Sequence, residues 1–218
     1  GAVPVLVAAD RPVAEWLKPV PGRPGVFRTA GVGRERDVDL VPFYRLHRRT
    51  YAVHWDLFTL PEWEAKAKEY ATERERLRKL DLATVAFVQP GEMQPERDFG
   101  FRGEETQPDR AAGRACRRGT RWFSFEVPVE ERRPMALVVT YYQDEWRRRT
   151  FDVLVGGVKV GEQVVEKGGV PHFFDVEYPV PAALVRGKGR VTVRFEATGG
   201  NEIAGVYGIR TVRSDAER

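Results

Sequence analysis

The chain has 218 residues, of which 42% are hydrophobic and 31% are charged, a balance that allows a packed core and a soluble surface. Its net charge is +4, but the 36 basic residues are interleaved with 32 acidic ones, so no nucleic-acid-binding face is expected. No apolar run of about 18 residues occurs, so no membrane span is expected, and the single cysteine, Cys116, excludes an internal disulfide or a zinc site with two thiolates.

Residues 1–83 have the pattern of a β-rich segment that carries one helix. Short alternating apolar runs predict strands, and the Pro- and Gly-rich residues 11–35 predict loops. A helix is predicted over residues 60–80, because Thr59 and Glu62 have the spacing of a capping box. Its apolar residues recur at helical spacing, which predicts an amphipathic helix that covers a sheet. A helix that binds a partner is the alternative.

The rest of the chain divides into a connector, a sandwich and a short tail. Residues 84–120 are predicted to be an irregular connector, in which Thr84 to Val88 have the pattern of a short strand and residues 89–120 are rich in charge, Gly and Pro with little periodicity. From Trp122 onward apolar and polar residues alternate in about seven strands separated by turn signals. This pattern predicts a jelly-roll β-sandwich over residues 121–213, followed by a tail at 214–218. The predicted fold class is all-β with one prominent amphipathic helix.

The centre of the predicted sandwich is a hairpin. Phe151, Val153 and Val155 alternate with Asp152 and Leu154. After the dipeptide Gly156-Gly157, Val158 and Val160 alternate with Lys159. A two-residue turn in which both residues take positive φ matches the twist of antiparallel strands, and glycine adopts that conformation at no steric cost. The sequence therefore predicts a tight β-hairpin at this point.

Six ordered blocks of the sequence resemble the C-terminal region of β-L-arabinofuranosidase-like glycoside hydrolases of families 127 and 146. The blocks span nearly the whole chain. They are DVDLVPFYRLHRRTYAVHWDLF (37–58), QPGEMQPERDF (89–99), RWFSFEV (121–127), RRTFDVLVGGVKV (148–160), FFDVEYPVP (173–181) and GNEIAGVYGIRTVR (200–213). Met93 and His54 depart from the family pattern, where Gln and Tyr are expected, which leaves the substrate open.

The resemblance implies a non-catalytic accessory region. In that family an (α/α)6 barrel carries a cysteine nucleophile, a glutamate acid/base and a zinc ion, and nothing in this chain matches that set. Cys116 lies outside the matching blocks. The last domain of the family is similar to carbohydrate-binding modules, so the resemblance implies partners of two kinds: the catalytic barrel of a parent chain and an arabinose-containing plant-type glycan.

The first candidate carbohydrate-binding site is the rim segment that contains Tyr142, Gln143, Asp144 and Trp146. Sugar-binding modules stack sugar rings on exposed aromatic side chains and satisfy the hydroxyl groups with Asp, Asn, Gln and Arg. The segment has this mixture of residue types and lies between two predicted strands. The alternative is that Tyr142 completes a core strand and Trp146 packs on a loop.

Two further polar groups are candidates. Asn201 and Glu202 follow two glycines and would present polar groups beside the first rim segment; an ordinary Gly-rich turn is the alternative. Gln94, Glu96 and Arg97 form a polar cluster in the connector, which would either reach toward the active site of the parent enzyme or pin the connector through an ion pair.

Two hypotheses therefore stand: a region that helps a linked enzyme to bind glycan, and a purely structural region that packs on the barrel or forms an oligomer interface. Adjacent carboxylates such as Glu104-Glu105 and Glu130-Glu131 do not predict a glycosidase, because its acid and its nucleophile need different environments. No cofactor is predicted, and a structural calcium ion stays open. The chain opens without a secretion signal, and we expect a soluble protein, either cytoplasmic or secreted with the parent.

Overall fold

A computed structural model describes residues 5–7, 10–34, 36–45, 56–143 and 146–214. The chain divides into two units, Gly1–Leu77 and Arg78–Arg218. This boundary lies inside a long helix, whereas the sequence placed the boundary at the start of a connector at residue 84. Within the described residues, no helix combines the length and the hydropathy that a bilayer span requires.

Two small three-stranded sheets lie in the described part of the first unit. Its strands are β1 (Val5–Val7), β2 (Leu17–Pro19), β3 (Phe27–Thr29), β4 (Gly33–Arg34), β5 (Asp39–Leu40) and β6 (Asp56–Phe58). Strand β1 pairs with β4 and β6, and strand β3 pairs with β2 and β5. A short helix α1 (Val13–Trp16) and a 3₁₀ turn (Phe43–Arg45) complete the described part of the segment. His54, one of the two departures from the glycosidase pattern, lies outside the described residues.

Helix α2 (Leu60–Ala83) begins at the predicted N-cap. The Glu62 carboxylate accepts hydrogen bonds from the backbone N–H of Thr59 and from its hydroxyl, both at 2.7 Å. These bonds from Thr59 lower the pKa of Glu62. The side chain at the third helical position therefore satisfies a backbone donor that the helix itself leaves open, as a capping box requires.

Most of helix α2 is not amphipathic, contrary to the prediction. None of its residues, all of which are described, is buried. Near its start Trp63 contacts an aromatic neighbour, but charged side chains follow on every side, with ion pairs of i,i+3 spacing between Lys66 and Glu69 and between Glu73 and Arg76. Because charged residues lie on all sides of the helix, it has no continuous apolar face, although the spacing of its apolar residues suggested one.

The last turn of helix α2 does cover a sheet. Leu80 and Ala83 pack against a small buried cluster formed by Ala136, Val138 and Val212. These three residues point away from the main core, so the last turn of the helix covers the outer face of the sheet that carries them. The prediction that the helix covers a sheet holds for this turn only.

The second unit is a β-sandwich, which confirms the predicted fold class. Its strands are β7 (Thr84–Val88), β8 (Arg102–Ala111), β9 (Arg114–Pro128), β10 (Met135–Gln143), β11 (Arg149–Val155), β12 (Val158–Val165), β13 (His172–Val180), β14 (Arg190–Ala197), β15 (Ile203–Val206) and β16 (Gly208–Arg213). Two short helices, α3 (Met93–Asp98) and α4 (Ala182–Val185), lie between strands.

The sandwich consists of two antiparallel sheets. The four-stranded sheet has the order β13-β10-β16-β7, and the six-stranded sheet has the order β12-β11-β14-β9-β15 with β8 paired to β9. Alternate residues of both sheets point inward and form one core. Its fully buried large side chains include Phe123, Phe125, Leu137, Tyr141, Phe151, Phe195, Ile203 and Ile209.

Residues 89–120 are not the irregular stretch that the sequence predicted, whereas the strand predicted at Thr84–Val88 is present as β7 in the four-stranded sheet. Strands β8 and β9 pair from Arg102↔Ser124 to Ala111↔Arg114. Nearly every residue of β8 is exposed. A strand that is exposed on both faces has no reason to alternate apolar and polar residues, so the period-two signal of a strand is missing from its sequence.

The predicted hairpin is confirmed. Strands β11 and β12 pair up to Val155↔Val158, and the two turn residues are Gly156 and Gly157, with φ of 57° and 82°. Positive φ at both turn positions is the conformation that a tight antiparallel hairpin requires.

A chain of polar side chains runs through the core. The hydroxyls of Tyr141 and Tyr178 lie 3.0 Å apart, and Tyr178 donates to Gln163 Oε1 at 2.6 Å. Gly161 passes so close to Tyr178 that a Cβ at this position would lie 2.5 Å from the ring carbon Cδ1. These buried side chains provide hydrogen-bond partners for one another, as polar groups in a protein core require.

Candidate functional site

Trp146 is the most prominent exposed aromatic side chain on the rim of the sandwich. It lies between β10 and β11, and its side chain is 68% exposed. The guanidinium carbon of Arg147 lies 4.5 Å from the centroid of the indole ring, and that of Arg149 lies 5.3 Å from it. Two cations beside one ring are a favourable arrangement, because the ring face carries partial negative charge.

Glu202 ties this segment to a second rim loop. One of its carboxylate oxygens pairs with Arg147 and the other with Arg149, whose side chain is 4% exposed. The structure thus brings together Trp146 and Glu202, as the sequence analysis proposed. Asn201 has a local role instead: its side-chain amide donates to the carbonyl of Thr198 at 2.9 Å and closes the Gly-rich turn.

The other rim candidates are not part of this group. Tyr142 lies on the outer face of the four-stranded sheet, opposite Phe173. The side-chain amide of Gln143 donates to the backbone carbonyls of Glu166 and Gly168 and so holds the loop between β12 and β13. Asp144 lies outside the described residues.

Phe173 and Arg114 form a second cluster with Tyr142, which the sequence analysis missed. The Tyr142 and Phe173 ring centroids are 4.6 Å apart, and the buried Tyr207 ring meets both rings edge-on, at 5.9 and 5.1 Å. The Arg114 guanidinium carbon lies 4.4 Å from the Phe173 centroid. We call these four residues the aromatic patch.

One sequence signal pointed to the aromatic patch. Phe174, Val176 and Tyr178 occupy the inward positions of β13, so Phe173 stands at an outward position, where a polar residue is usual. The pairing of Phe173 with Tyr142 depends on the register between β10 and β13, which the sequence does not show.

In the connector, Glu96 is part of a buried ion pair. Its carboxylate accepts from Arg117 Nε at 2.6 Å, from Arg117 Nη2 at 2.7 Å and from the backbone N–H of Gly91 at 2.7 Å. Gln94 and Arg97 stay at the surface, where Arg97 donates to Gln94 Oε1 at 2.6 Å. The ion-pair alternative therefore holds for Glu96, which joins helix α3 to strand β9.

A cleft of about 580 Å³ lies beside this ion pair. Its lining residues are Gly91, Met93, Glu96, Arg97, Gly100, Phe101, Pro108 and Arg117. The Arg117 guanidinium carbon lies 4.1 Å from the Phe101 ring centroid, and its charge is neutralised by Glu96, so the floor of the cleft offers little unsatisfied polarity.

The adjacent carboxylate pairs do not have the environments of a glycosidase dyad. Glu104 pairs with Arg121, and Glu105 accepts from the Thr120 hydroxyl at 2.9 Å. Hydrogen bonding from Arg213 lowers the pKa of Glu130, whereas a general acid needs a raised pKa. Over the residues that the structure describes, no group of three His, Cys, Asp or Glu side chains is arranged to hold a metal ion.

Several solved structures of carbohydrate-binding modules are similar to this chain. A CBM36 module in complex with calcium and xylotriose is 14% identical, with a TM-score of 0.41 over 58% of this chain and 99% of that one. A family 35 module from Clostridium thermocellum is 15% identical, with a TM-score of 0.44 over 59% and 99%. The GH26-CBM35 β-(1,4)-mannanase of Podospora anserina is 14% identical, with a TM-score of 0.43 over 62% and 29%. Similarity at this level shows neither a ligand nor an activity.

No curated protein sequence matches the chain. Residues 79–212 match the family of unknown function DUF6805, a stretch that covers most of the second unit and more than half of the chain. The chain therefore belongs to the DUF6805 family.

Proposed function

We propose that this chain is a non-catalytic accessory region of a glycoside hydrolase and that its sandwich binds arabinose-containing plant glycan at Trp146. The observation that carries the proposal is the exposed indole, 68% accessible, on a sandwich rim. Removing part of so large an apolar ring from water is favourable, which supports stacking of a ligand on this indole. The apolar C–H face of a sugar ring is a suitable partner for it.

The surroundings of Trp146 support binding rather than chance exposure. Arg147 and Arg149 flank the indole, and Glu202 holds both guanidinium groups. A ring that is already positioned loses less conformational freedom when a ligand stacks on it, so more of the contact energy appears as affinity. Arginine N–H groups and a carboxylate also suit the hydroxyl groups of a sugar.

The proposed parent enzyme is a β-L-arabinofuranosidase-like hydrolase. This part of the proposal rests on the six sequence blocks that resemble the C-terminal region of β-L-arabinofuranosidase-like hydrolases of families 127 and 146. The proposal assigns no catalytic step to this chain. Glu104 is paired with Arg121 and Glu130 with Arg213, and the chemistry would belong to a linked barrel.

Calorimetric titration with L-arabinose and linear arabino-oligosaccharides tests the proposal. We expect the wild type to bind the oligosaccharides and Trp146→Ala to bind them about 10-fold or more weakly, as loss of a central aromatic contact does. Trp122→Ala is the matched control, because Trp122 is also stacked by an arginine, with Arg194 Cζ 4.0 Å from its ring centroid. Absence of heat with every neutral ligand, or equal affinity in both variants, would refute the sugar-binding role.

A purely structural role is the second candidate, and the first unit favours it. Phe43, Tyr44, Leu57 and Leu60 are between 54% and 78% exposed there. Apolar side chains exposed in this number fit a surface that packs on a catalytic barrel or on a second copy of the chain. Light scattering of the isolated chain, alone and mixed with the separately expressed catalytic region, distinguishes these two occupants.

A further inference from the structure

Among the described residues of the second unit, the outer face of the four-stranded sheet is buried toward one end and partly exposed toward the other. On β10, Ala136 and Val138 lie under the last turn of helix α2, as described above. Farther along the same strand, Thr140 and Tyr142 point to the same side but are partly exposed. The partly exposed part of this face ends at the aromatic patch, where Tyr142 and Phe173 present some ring surface.

The aromatic patch has a rigid base. Tyr207 is fully buried beneath Tyr142 and Phe173, and its backbone N–H donates to Thr140 O at 2.9 Å. Tyr207 is the single residue between β15, in the six-stranded sheet, and β16, in the four-stranded sheet, so its backbone is held by both sheets. The two partly exposed rings above it rest on a surface that does not need to be ordered when a ligand binds.

Arg114 gives the aromatic patch an uncompensated positive charge. Its guanidinium group stacks on Phe173, and its one hydrogen bond is a long contact of 3.4 Å to the backbone carbonyl of Tyr207. Among the residues that the structure describes, no carboxylate lies within ion-pair distance of it. The ring occupies the face of the guanidinium group and leaves N–H groups at its edge for an anion.

We propose that the aromatic patch binds an acidic sugar residue, a uronate, within a glycan. One ring stacks on the sugar, and Arg114 pairs with its carboxylate, a geometry for which the planar guanidinium group is well suited. The inference rests on the proposed function, since it assigns a second glycan contact to the same sandwich. It adds a substrate class that Trp146 does not select: glycan that carries carboxylates.

Asp175 is the opposing charge on this face. It lies two residues from Phe173 on β13 and accepts a hydrogen bond of 2.7 Å from the Thr140 hydroxyl. Its negative charge weakens the attraction of a uronate without occupying Arg114. Asp175→Asn should therefore tighten binding of an acidic ligand and leave binding of a neutral ligand unchanged.

Titration with tri- and tetragalacturonate, beside neutral arabino-oligosaccharides, tests the inference. The wild type should bind the galacturonates, and raising NaCl from 50 to 500 mM should weaken that binding, since salt screens exposed charges. We expect Arg114→Gln to lose 10-fold or more in affinity for the galacturonates and Arg114→Lys to lose less. Both variants should keep their affinity for neutral ligands.

The two proposals fail in different ways. Trp146→Ala should lose the neutral ligands and keep the galacturonates, so loss of neutral binding alone leaves the second site standing. No galacturonate binding by the wild type at millimolar concentration, or unchanged binding by Arg114→Gln with a native melting temperature, would overturn the inference. If Arg114→Gln does not fold, the galacturonate affinities of Arg114→Lys and Asp175→Asn test the inference. Weaker binding by Arg114→Lys together with tighter binding by Asp175→Asn supports the inference, and two unchanged affinities contradict it.

Discussion

Replacing Glu96 by Gln removes the negative partner of a buried arginine and should destabilise the second unit strongly. Glu96 is 9% exposed and Arg117 is 6% exposed. The carboxylate accepts three hydrogen bonds, two from Arg117 and one from Gly91 N–H. The Gln amide nitrogen donates and cannot accept, so at least one of these bonds is lost and the guanidinium charge stays buried without compensation.

The expected cost follows from this geometry. Removing one partner of a buried ion pair costs about 3–5 kcal/mol in the free energy of unfolding, mostly because the remaining charge is stranded. The Phe101 ring beside Arg117 offsets only part of the cost of the stranded charge, since a cation–π contact contributes about 0.5–2 kcal/mol. This contact is also present in the wild type, so it adds no new stabilisation in the variant. For a unit of this size the melting temperature should fall by roughly 10–20 °C.

Urea unfolding followed by far-ultraviolet circular dichroism measures this cost. Glu92→Gln is the control, because Glu92 makes an exposed ion pair with Arg110 at 3.3 Å that should contribute less than about 1 kcal/mol. A double variant, Glu96→Gln with Arg117→Met, should recover part of the loss because it removes the stranded charge. A Glu96→Gln variant within about 1 kcal/mol of the wild type would refute the reasoning, since a buried charge cannot be stranded at so low a cost.

Two further predictions concern the core. Gly161→Ala should destabilise the sandwich by about 2 kcal/mol or more, because the new Cβ would lie 2.5 Å from Cδ1 of the buried Tyr178 ring; a variant as stable as the wild type in urea would contradict this. Burial raises the pKa of the Tyr178 hydroxyl to about 12. Unfolded tyrosine titrates near pH 10, so the free energy of unfolding should be unaffected by this group below about pH 10 and fall by about 3 kcal/mol as pH rises toward 12. Tyr178→Phe should show a shallower fall between about pH 10 and 12 in the same urea assay, and an equally steep fall would mean that the group does not contribute.

Features set by neighbouring residues could be predicted from the sequence. The Gly156-Gly157 hairpin and the pairing of Thr59 with Glu62 depend on only a few adjacent positions, and both are present in the structure. The inward alternation of the sandwich strands was also readable, because one face of each strand packs on the core. The start of helix α2 was placed correctly from the spacing of Thr59 and Glu62, although the helix has no buried apolar face along its charged middle.

Features that depend on distant pairing could not be predicted. Glu96 and Arg117 are 21 residues apart, and the sequence offered many arginines as partners. Tyr142 meets Phe173 only because β10 and β13 pair in one particular register. The exposed strand β8 escaped detection because neither of its faces is buried, so its composition is that of a charged loop.

The central claim is that a glycan stacks on Trp146, and the indole N–H resonance of that residue tests it most directly. In a ¹H–¹⁵N spectrum of the labelled chain, assigned with Trp146→Phe, titration with an arabino-oligosaccharide should shift the Trp146 indole signal progressively. The Trp122 signal should stay in place, since Trp122 lies on the six-stranded sheet beside Arg194. A Trp146 signal that does not move at millimolar ligand, or moves no more than that of Trp122, would contradict the account.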